Sequence, residues 1–196
     1  MLLPFSKIRV YHGTNLFSAM IIKQYGIWLT LQRKTTDFGK GFYVTPTINQ
    51  ALQWAREKSK NSPINKKIVK LLAMSNAEYE HHPYTKIPAL IQFDLNMFQL
   101  LLLHGLIFPL PDNPLWNPYE RQVANFVYSC RSGWAHAYDF IFGPIGTFHY
   151  TIPKKIIFSQ TKNQLSLNSE KAIHCLSNMQ VFSLSANFQY DQFQTV

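Results

Sequence analysis

The chain has 196 residues, of which 46% are hydrophobic and 15% aromatic, so it can bury a sizeable core and fits one domain better than two. Nineteen Lys and Arg against ten Asp and Glu give a formal charge of +9, which attracts polyanions and makes nucleic acid an alternative partner. Two cysteines, Cys130 and Cys175, exclude a disulfide framework and, by themselves, a structural zinc site.

Targeting and membrane signals are absent from the pattern. Residues 1–5 are apolar but lack a preceding basic region, so no secretory signal peptide is predicted. The most apolar stretch, residues 98–110, is interrupted by polar residues and is too short to span a bilayer. We therefore predict a soluble protein that is cytoplasmic or delivered without a cleavable signal peptide.

The predicted elements of the N-terminal half alternate between strand and helix. In chain order they are a strand over 8–11 that ends at His12, a helix capped by Asn15 and ended by Gly26, a loop at Gly39-Lys40-Gly41, a strand over 42–45, and a helix capped by Thr47. Apolar residues at helical spacing in this second helix, Ile48, Ala51, Leu52 and Ala55, indicate a core-facing stripe. The basic run over 56–67 is predicted to be a solvated loop.

The C-terminal half adds strands over 88–94, 138–143 and 164–167 and helices over 118–131 and 169–179. Short strands interspersed with irregularly spaced helices favour an α+β fold over a regular doubly wound one.

Two segments carry residues suited to a nicotinamide ring. A glycine at Gly13 permits close approach of a ligand, and its backbone C=O and N–H can clamp a carboxamide. An imidazole nitrogen of His12 can bind a ribose hydroxyl in either protonation state. The ring of Tyr43, after the flexible Gly39-Lys40-Gly41 loop, can stack on a pyridinium.

Each segment alone is also typical of an ordinary strand end or hairpin. Their pairing, 31 residues apart across a predicted helix and loop, resembles the ADP-ribosyltransferase superfamily on its diphtheria-toxin and poly(ADP-ribose) polymerase side. Within that superfamily the chain looks like the bacterial DUF3990 group, over roughly residues 8–180. Further segments that carry the resemblance are 49–55, Phe126-Val127 with Arg131, 138–145, and 164–167 before 170–172.

The resemblance implies a split antiparallel sheet with flanking helices and an NAD cleft between its halves. It implies NAD as substrate, no metal, and cleavage of the nicotinamide–ribose bond by a mono-ADP-ribosyltransferase, with a toxin or effector among its roles. The residues that it implies as NAD contacts are His12, Gly13, Thr14, Phe38, Gly39, Gly41 and Tyr43.

A third polar residue, Glu in many active members, corresponds best to Gln164, which completes a predicted catalytic set with His12 and Tyr43. Glutamine can accept a hydrogen bond from the ribose 2′-OH but has no charge to stabilise a cationic transition state. Poly(ADP-ribose) synthesis is therefore not expected. The rival carboxylates are Glu120, Asp139 and Glu170; Asp139 is equally explained as a strand cap and Glu170 as a first-turn helix residue.

Two functions from different classes remain open at this point. One is transfer of a single ADP-ribose, with NAD hydrolysis as a variant of the same pocket. The other is a catalytically degenerate NAD- or nucleic-acid-binding module on the same fold. The acceptor is a protein, a nucleic acid or a small molecule, and loops near 30–40 and 145–163 are predicted to select it. Lys40 is the nearest basic residue in sequence for the NAD pyrophosphate.

Overall fold

Strands and helices alternate along most of the chain in the computed structural model, which describes residues 7–62, 64–112, 116–148 and 155–184. The strands are β1 (Lys7–Asn15), β2 (Phe42–Val44), β3 (Pro88–Asn96), β4 (Gly105–Ile107), β5 (Phe140–Phe148), β6 (Ile156–Leu167) and β7 (Leu176–Ser183). The helices are α1 (Leu16–Tyr25), α2 (Ile48–Lys60), α3 (Lys66–Leu71), α4 (Asn76–His81), α5 (Met97–Leu101), α6 (Trp116–Arg131) and α7 (Glu170–Ile173). The result is a mixed α+β protein with two sheets, as the sequence predicts.

The strands form two separate sheets. One has the order β1-β3-β7 and is antiparallel, while the other has the order β2-β6-β5-β4. Strands β4 and β5 are parallel, so the expectation of a wholly antiparallel sheet is wrong at that edge. Within the described part of the chain, one isolated bridge joins the sheets: the Tyr11 N–H donates to the Thr45 C=O at 2.8 Å, and the Thr45 N–H donates to the Tyr11 C=O at 2.9 Å. Beyond this bridge the sheets diverge, which opens a cleft.

The main core lies between the two sheets and contains Val10, Phe42, Phe93, Leu165 and Leu167. A second cluster packs α6 against β5 and β6. On the other face of β1, Ala51, Leu52 and other apolar residues of α2 pack against the first sheet, which confirms the predicted stripe. Burial on both faces explains why β1 is fixed in register beside the cleft.

Helix α1 follows its prediction closely. The Asn15 side chain accepts a hydrogen bond from the Ser18 N–H at 2.9 Å, and Gly26 ends the helix with φ of 82°. Thr47 precedes α2 as predicted, although its side chain makes no capping hydrogen bond. Strand β1 continues to Asn15, so His12 lies within the strand and not at its end.

Three predictions along the chain are wrong. The predicted loop near 145–163 is mostly strand among its described residues, because 145–148 belong to β5 and 156–163 to β6. The basic run over 56–67 is not a loop, because its first part completes α2 and its last two residues begin α3. The helix predicted over 169–179 stops after Ile173. Ser169 caps this short helix as expected, but residues 176–183 pair with β3, where Leu90 faces Phe182 and Ile91 faces Val181.

Among the described residues, no helix is both long and apolar enough to cross a membrane. Cys130 and Cys175 are buried and free, so they form no disulfide with each other.

Candidate functional site

A cleft of about 1050 Å³ opens where the two sheets diverge. It is lined by His12, Gly13 and Thr14 of β1, by Gly41 and Tyr43 around β2, and by Gln164 of β6. The structure thus brings together all three predicted catalytic residues, from three strands that are far apart in sequence.

His12 is held by two contacts with β2. Its Nδ1 lies 2.7 Å from the Tyr43 carbonyl oxygen, and its ring stacks on Phe42 at 4.4 Å. Because a carbonyl only accepts, Nδ1 carries the proton of the neutral ring and Nε2 is left as an acceptor. Burial lowers the pKa of His12 to about 4, opposed by the Tyr43 hydrogen bond and assisted by the charge of Lys58. His12 is therefore a neutral acceptor at physiological pH.

Gly13 has a structural reason to be glycine that the sequence interpretation missed. A Cβ at this position would lie 1.9 Å from the Ala51 carbonyl oxygen of α2. The absence of a side chain therefore allows α2, and not a ligand, to pack closely against β1. Its backbone groups still suit the predicted clamp. In an antiparallel strand the N–H and C=O of residues 11 and 13 point the same way, and those of Tyr11 point to β2. Gly13 lies beyond the bridge, and its backbone N–H and C=O therefore point away from β3.

Tyr43 is anchored by its hydroxyl group to the loop that precedes it. The hydroxyl donates to the Gly39 carbonyl at 2.9 Å, accepts from the Phe38 N–H at 2.9 Å, and lies 2.7 Å from Thr36 Oγ1. Burial raises the pKa of Tyr43, so the phenol stays neutral. These bonds fix the ring while leaving it in the cleft wall.

Two of the residues predicted to contact NAD, Phe38 and Gly39, lie behind Tyr43 and not in the cleft wall. Phe38 is fully buried in the cluster under α6, and neither Phe38 nor Gly39 lines the cleft. Gly41 does line it, and a Cβ there would come within 2.1 Å of Ser166 Oγ, so β2 needs glycine to approach β6. Phe38 and Gly39 thus support Tyr43 through their backbone groups.

Gln164 lies near the end of β6, eight residues after the strand begins, and is only 6% exposed. Its Nε2 donates to Asp37 Oδ2 at 2.9 Å, which turns Oε1 into the free end of the amide. Among the described residues, none hydrogen-bonds to this Oε1. Gln164 therefore presents an acceptor in the cleft, oriented by a carboxylate.

Asp37 and Arg131 are the residues that sequence reasoning missed. Arg131 Nη2 and Nε donate to Asp37 Oδ1 at 2.6 and 2.9 Å, and the Gly146 N–H donates to Oδ2 at 3.0 Å. The two side chains are only 13% and 15% exposed and both line the cleft. Asp37 lies two residues before the Gly39-Lys40-Gly41 loop and Arg131 belongs to a segment of the resemblance, but neither position by itself indicated that the two side chains meet.

None of the three rival carboxylates lines the cleft. Glu120 is on the exposed side of α6, and Asp139 accepts from the His104 N–H at 3.1 Å. Glu170 is the first residue of α7, which agrees with its simpler explanation as a first-turn residue. Lys40 also lies outside the cleft, whereas Lys58 of α2 lines it near His12.

The part of the chain that the structure describes holds no cluster of three or more His, Cys, Asp or Glu side chains able to bind a metal ion.

Comparison with known families adds one finding. Residues 8–101 match the family DUF3990, described as a protein of unknown function. This match confirms the predicted resemblance to DUF3990 over β1 to α5, which includes His12, Asp37 and Tyr43 but neither Arg131 nor Gln164. No curated protein and no solved structure matches the chain.

Proposed function

We propose that the protein binds NAD in the cleft between its two sheets, cleaves the nicotinamide–ribose bond, and transfers one ADP-ribose to an acceptor. The observation that carries this proposal is the convergence of His12, Gly13, Tyr43 and Gln164 on one cleft. The motifs around His12 and Tyr43 resemble those of ADP-ribosyltransferases, in which the His contacts the ribose and the Tyr stacks on the nicotinamide of NAD, whereas Gln164 stands where many active members carry Glu.

We assign each group a role that its geometry supports. The Gly13 backbone N–H and C=O bind the carboxamide, and the Tyr43 ring stacks on the pyridinium. His12 Nε2 accepts from a hydroxyl of the ribose beside that ring. Since His12 is neutral, it adds no positive charge next to a sugar that becomes cationic.

The bond between ribose C1′ and the pyridinium nitrogen breaks with both electrons going to nicotinamide, which leaves neutral. The positive charge stays on the ribose until an acceptor nucleophile forms the new bond and loses its proton. Water in place of the acceptor would give NAD hydrolysis.

Gln164 takes the position of the missing Glu in this scheme. Its Oε1 accepts from the ribose 2′-OH, while Asp37 accepts from its Nε2 at 2.9 Å. Because the Nε2 group of Gln164 donates to a carboxylate, the amide is polarised and its Oε1 gains negative character. Asp37 and Arg131 together are neutral, and we assign them the task of holding Gln164, not that of replacing the Glu charge.

Gln164 also favours a second candidate, a catalytically degenerate NAD- or nucleic-acid-binding module. A neutral amide stabilises a cationic sugar less than a carboxylate does, so binding without turnover agrees with the same cleft.

Release of free nicotinamide from NAD by the purified protein separates the two candidates. Turnover that falls at least tenfold in His12→Ala and Gln164→Ala would support the enzyme. His81→Ala is the matched control, since His81 is exposed on α4 and outside the cleft. NAD binding without nicotinamide release would instead identify the binding module.

A further inference from the structure

The charges around the cleft are strongly unbalanced. Among the described residues that line it, Asp37 is the one acidic residue and six are basic. These six are Arg33, Lys34, Lys58, Lys66, Lys67 and Arg131. The basic run over 56–67, which the sequence interpretation set aside as a solvated loop, supplies three of them.

Only one of the six basic side chains is neutralised. Arg131 pairs with Asp37, whereas no described carboxylate lies within salt-bridge distance of the other five. Lys67 Nζ donates to the uncharged Thr30 carbonyl at 2.7 Å. Burial and, next, the nearby charge of Arg33 lower the pKa of Lys58, and the charge of Glu57 opposes them only in part.

The four outer cations form one rim of the cleft. Arg33 and Lys34 follow a short 3-10 helix, Leu29–Leu31, and Lys66 and Lys67 begin α3. The Lys67 bond to Thr30 joins these segments, so their charges are neighbours. We call Arg33, Lys34, Lys66 and Lys67 the basic rim.

NAD alone does not balance this charge. A dinucleotide brings two phosphate charges, partly offset by its pyridinium, against five unpaired cations. If Lys58, near His12, and one rim cation take the two phosphates, three cations remain unpaired. Such a patch of exposed cations attracts a second anion with several charges at molecular spacing.

We propose that the acceptor is a single-stranded nucleic acid whose phosphates lie along the basic rim. Two partly exposed indoles, Trp28 and Trp54, also line the cleft and offer stacking surfaces for unpaired bases. A positive groove with aromatic side chains is the usual combination in proteins that bind single strands. The role of the nucleic acid as acceptor rests on the proposed ADP-ribose transfer, whereas binding of the nucleic acid to the basic rim does not.

The test measures binding of a fluorescent single-stranded oligonucleotide of about ten nucleotides by anisotropy at several salt concentrations. Arg33→Gln/Lys66→Gln removes two rim charges. Arg56→Gln/Lys60→Gln removes the same residue types from exposed positions of α2 outside the cleft, so both variants lose the same net charge.

We expect the rim variant to bind roughly tenfold more weakly. Its slope of log affinity against log salt should become shallower by about 1.4, two phosphates at about 0.7 each. The control variant should stay within about twofold of wild type, since its charges lie off the rim. Equal weakening of both variants would overturn the site, because attraction would then follow net charge alone. Equally good competition by polyglutamate would overturn the nucleic-acid assignment.

A second readout keeps this inference separate from the proposed enzyme. With NAD present, wild-type protein should add ADP-ribose to the oligonucleotide, detected as a mass increase. Oligonucleotide binding without any nicotinamide release would overturn the acceptor role and the enzyme while leaving the binding site. Nicotinamide release without modification of the oligonucleotide would overturn the acceptor alone.

Discussion

Replacing Gln164 by Glu tests the environment of this residue most sharply, because Gln164 is our candidate for the position at which many active ADP-ribosyltransferases carry Glu. In the wild-type protein the Gln164 amide donates to Asp37 Oδ2 at 2.9 Å. A glutamate of similar size would place a second carboxylate oxygen at that distance. The structure therefore predicts that the change does not simply restore a catalytic acid.

The magnitude follows from the distance. Two unit charges 2.9 Å apart repel by about 5.7 kcal/mol at an effective dielectric constant of about 20. One carboxyl group takes up a proton instead, which at pH 7 costs about 3.7 kcal/mol for a Glu with an ordinary pKa near 4.3. Arg131 attracts both carboxylates and reduces the cost. We expect the free energy of unfolding to fall by about 2 to 4 kcal/mol at neutral pH.

The effect has a definite pH dependence. In the folded variant, the nearby Asp37 carboxylate raises the pKa of the introduced carboxyl group above its value in the unfolded chain. The loss of stability is therefore absent below about pH 4 and grows as the pH rises toward neutrality. Urea unfolding of wild type and Gln164→Glu at about pH 4.5 and about pH 7.5 measures this difference directly.

The double variant Asp37→Asn/Gln164→Glu is the control. Asp37 and Arg131 sum to zero charge in the wild type, the single Glu variant is neutral only while one carboxyl group stays protonated, and the double variant is neutral with its one carboxylate ionised. It should therefore recover most of the neutral-pH stability. The reasoning is refuted if Gln164→Glu loses the same stability at both pH values, since no carboxylate pair would then exist.

Two further predictions concern β1. Gly13→Ala should destabilise the protein by about 1 to 3 kcal/mol in thermal unfolding, because its Cβ would meet the Ala51 carbonyl oxygen at 1.9 Å; an unchanged melting temperature would contradict the packing of β1 on α2. The pKa of His12 is lowered to about 4, so protonation favours the unfolded chain. The wild type should lose stability relative to His12→Asn as the pH falls from about 6.5 to about 4, and parallel stability curves would show that His12 is not buried as a neutral ring.

Local signals predicted the local structure well. The Asn15 cap, the Gly26 end and the stripe of α2 are set by neighbours within a few residues, and all three are present. The helix predicted over 169–179, of which only Glu170–Ile173 forms, shows the limit of local signals. Ser169 and Glu170 do start a helix, but pairing of Leu176 with Leu95 and of Ser177 with Asp94 of β3 outweighs helix propensity farther on.

Long-range pairing also explains what was missed at the site. Asp37 meets Arg131 and Gln164 across 94 and 127 residues, and no local pattern reports such contacts. Gly13 was read as an opening for a ligand, whereas its missing side chain faces Ala51. The sequence therefore indicated which motif residues belong to the candidate site, but it did not indicate which residue each of them contacts.

In the proposed enzyme the Tyr43 ring forms part of the nicotinamide pocket. Nicotinamide release from NAD by Tyr43→Phe and Tyr43→Ala tests it most directly, because Phe keeps the ring while losing the three hydroxyl contacts with Thr36, Phe38 and Gly39. We predict that Tyr43→Phe retains turnover with a raised KM and that Tyr43→Ala loses it. Equal turnover in wild type and Tyr43→Ala, with both variants folded, would contradict the account.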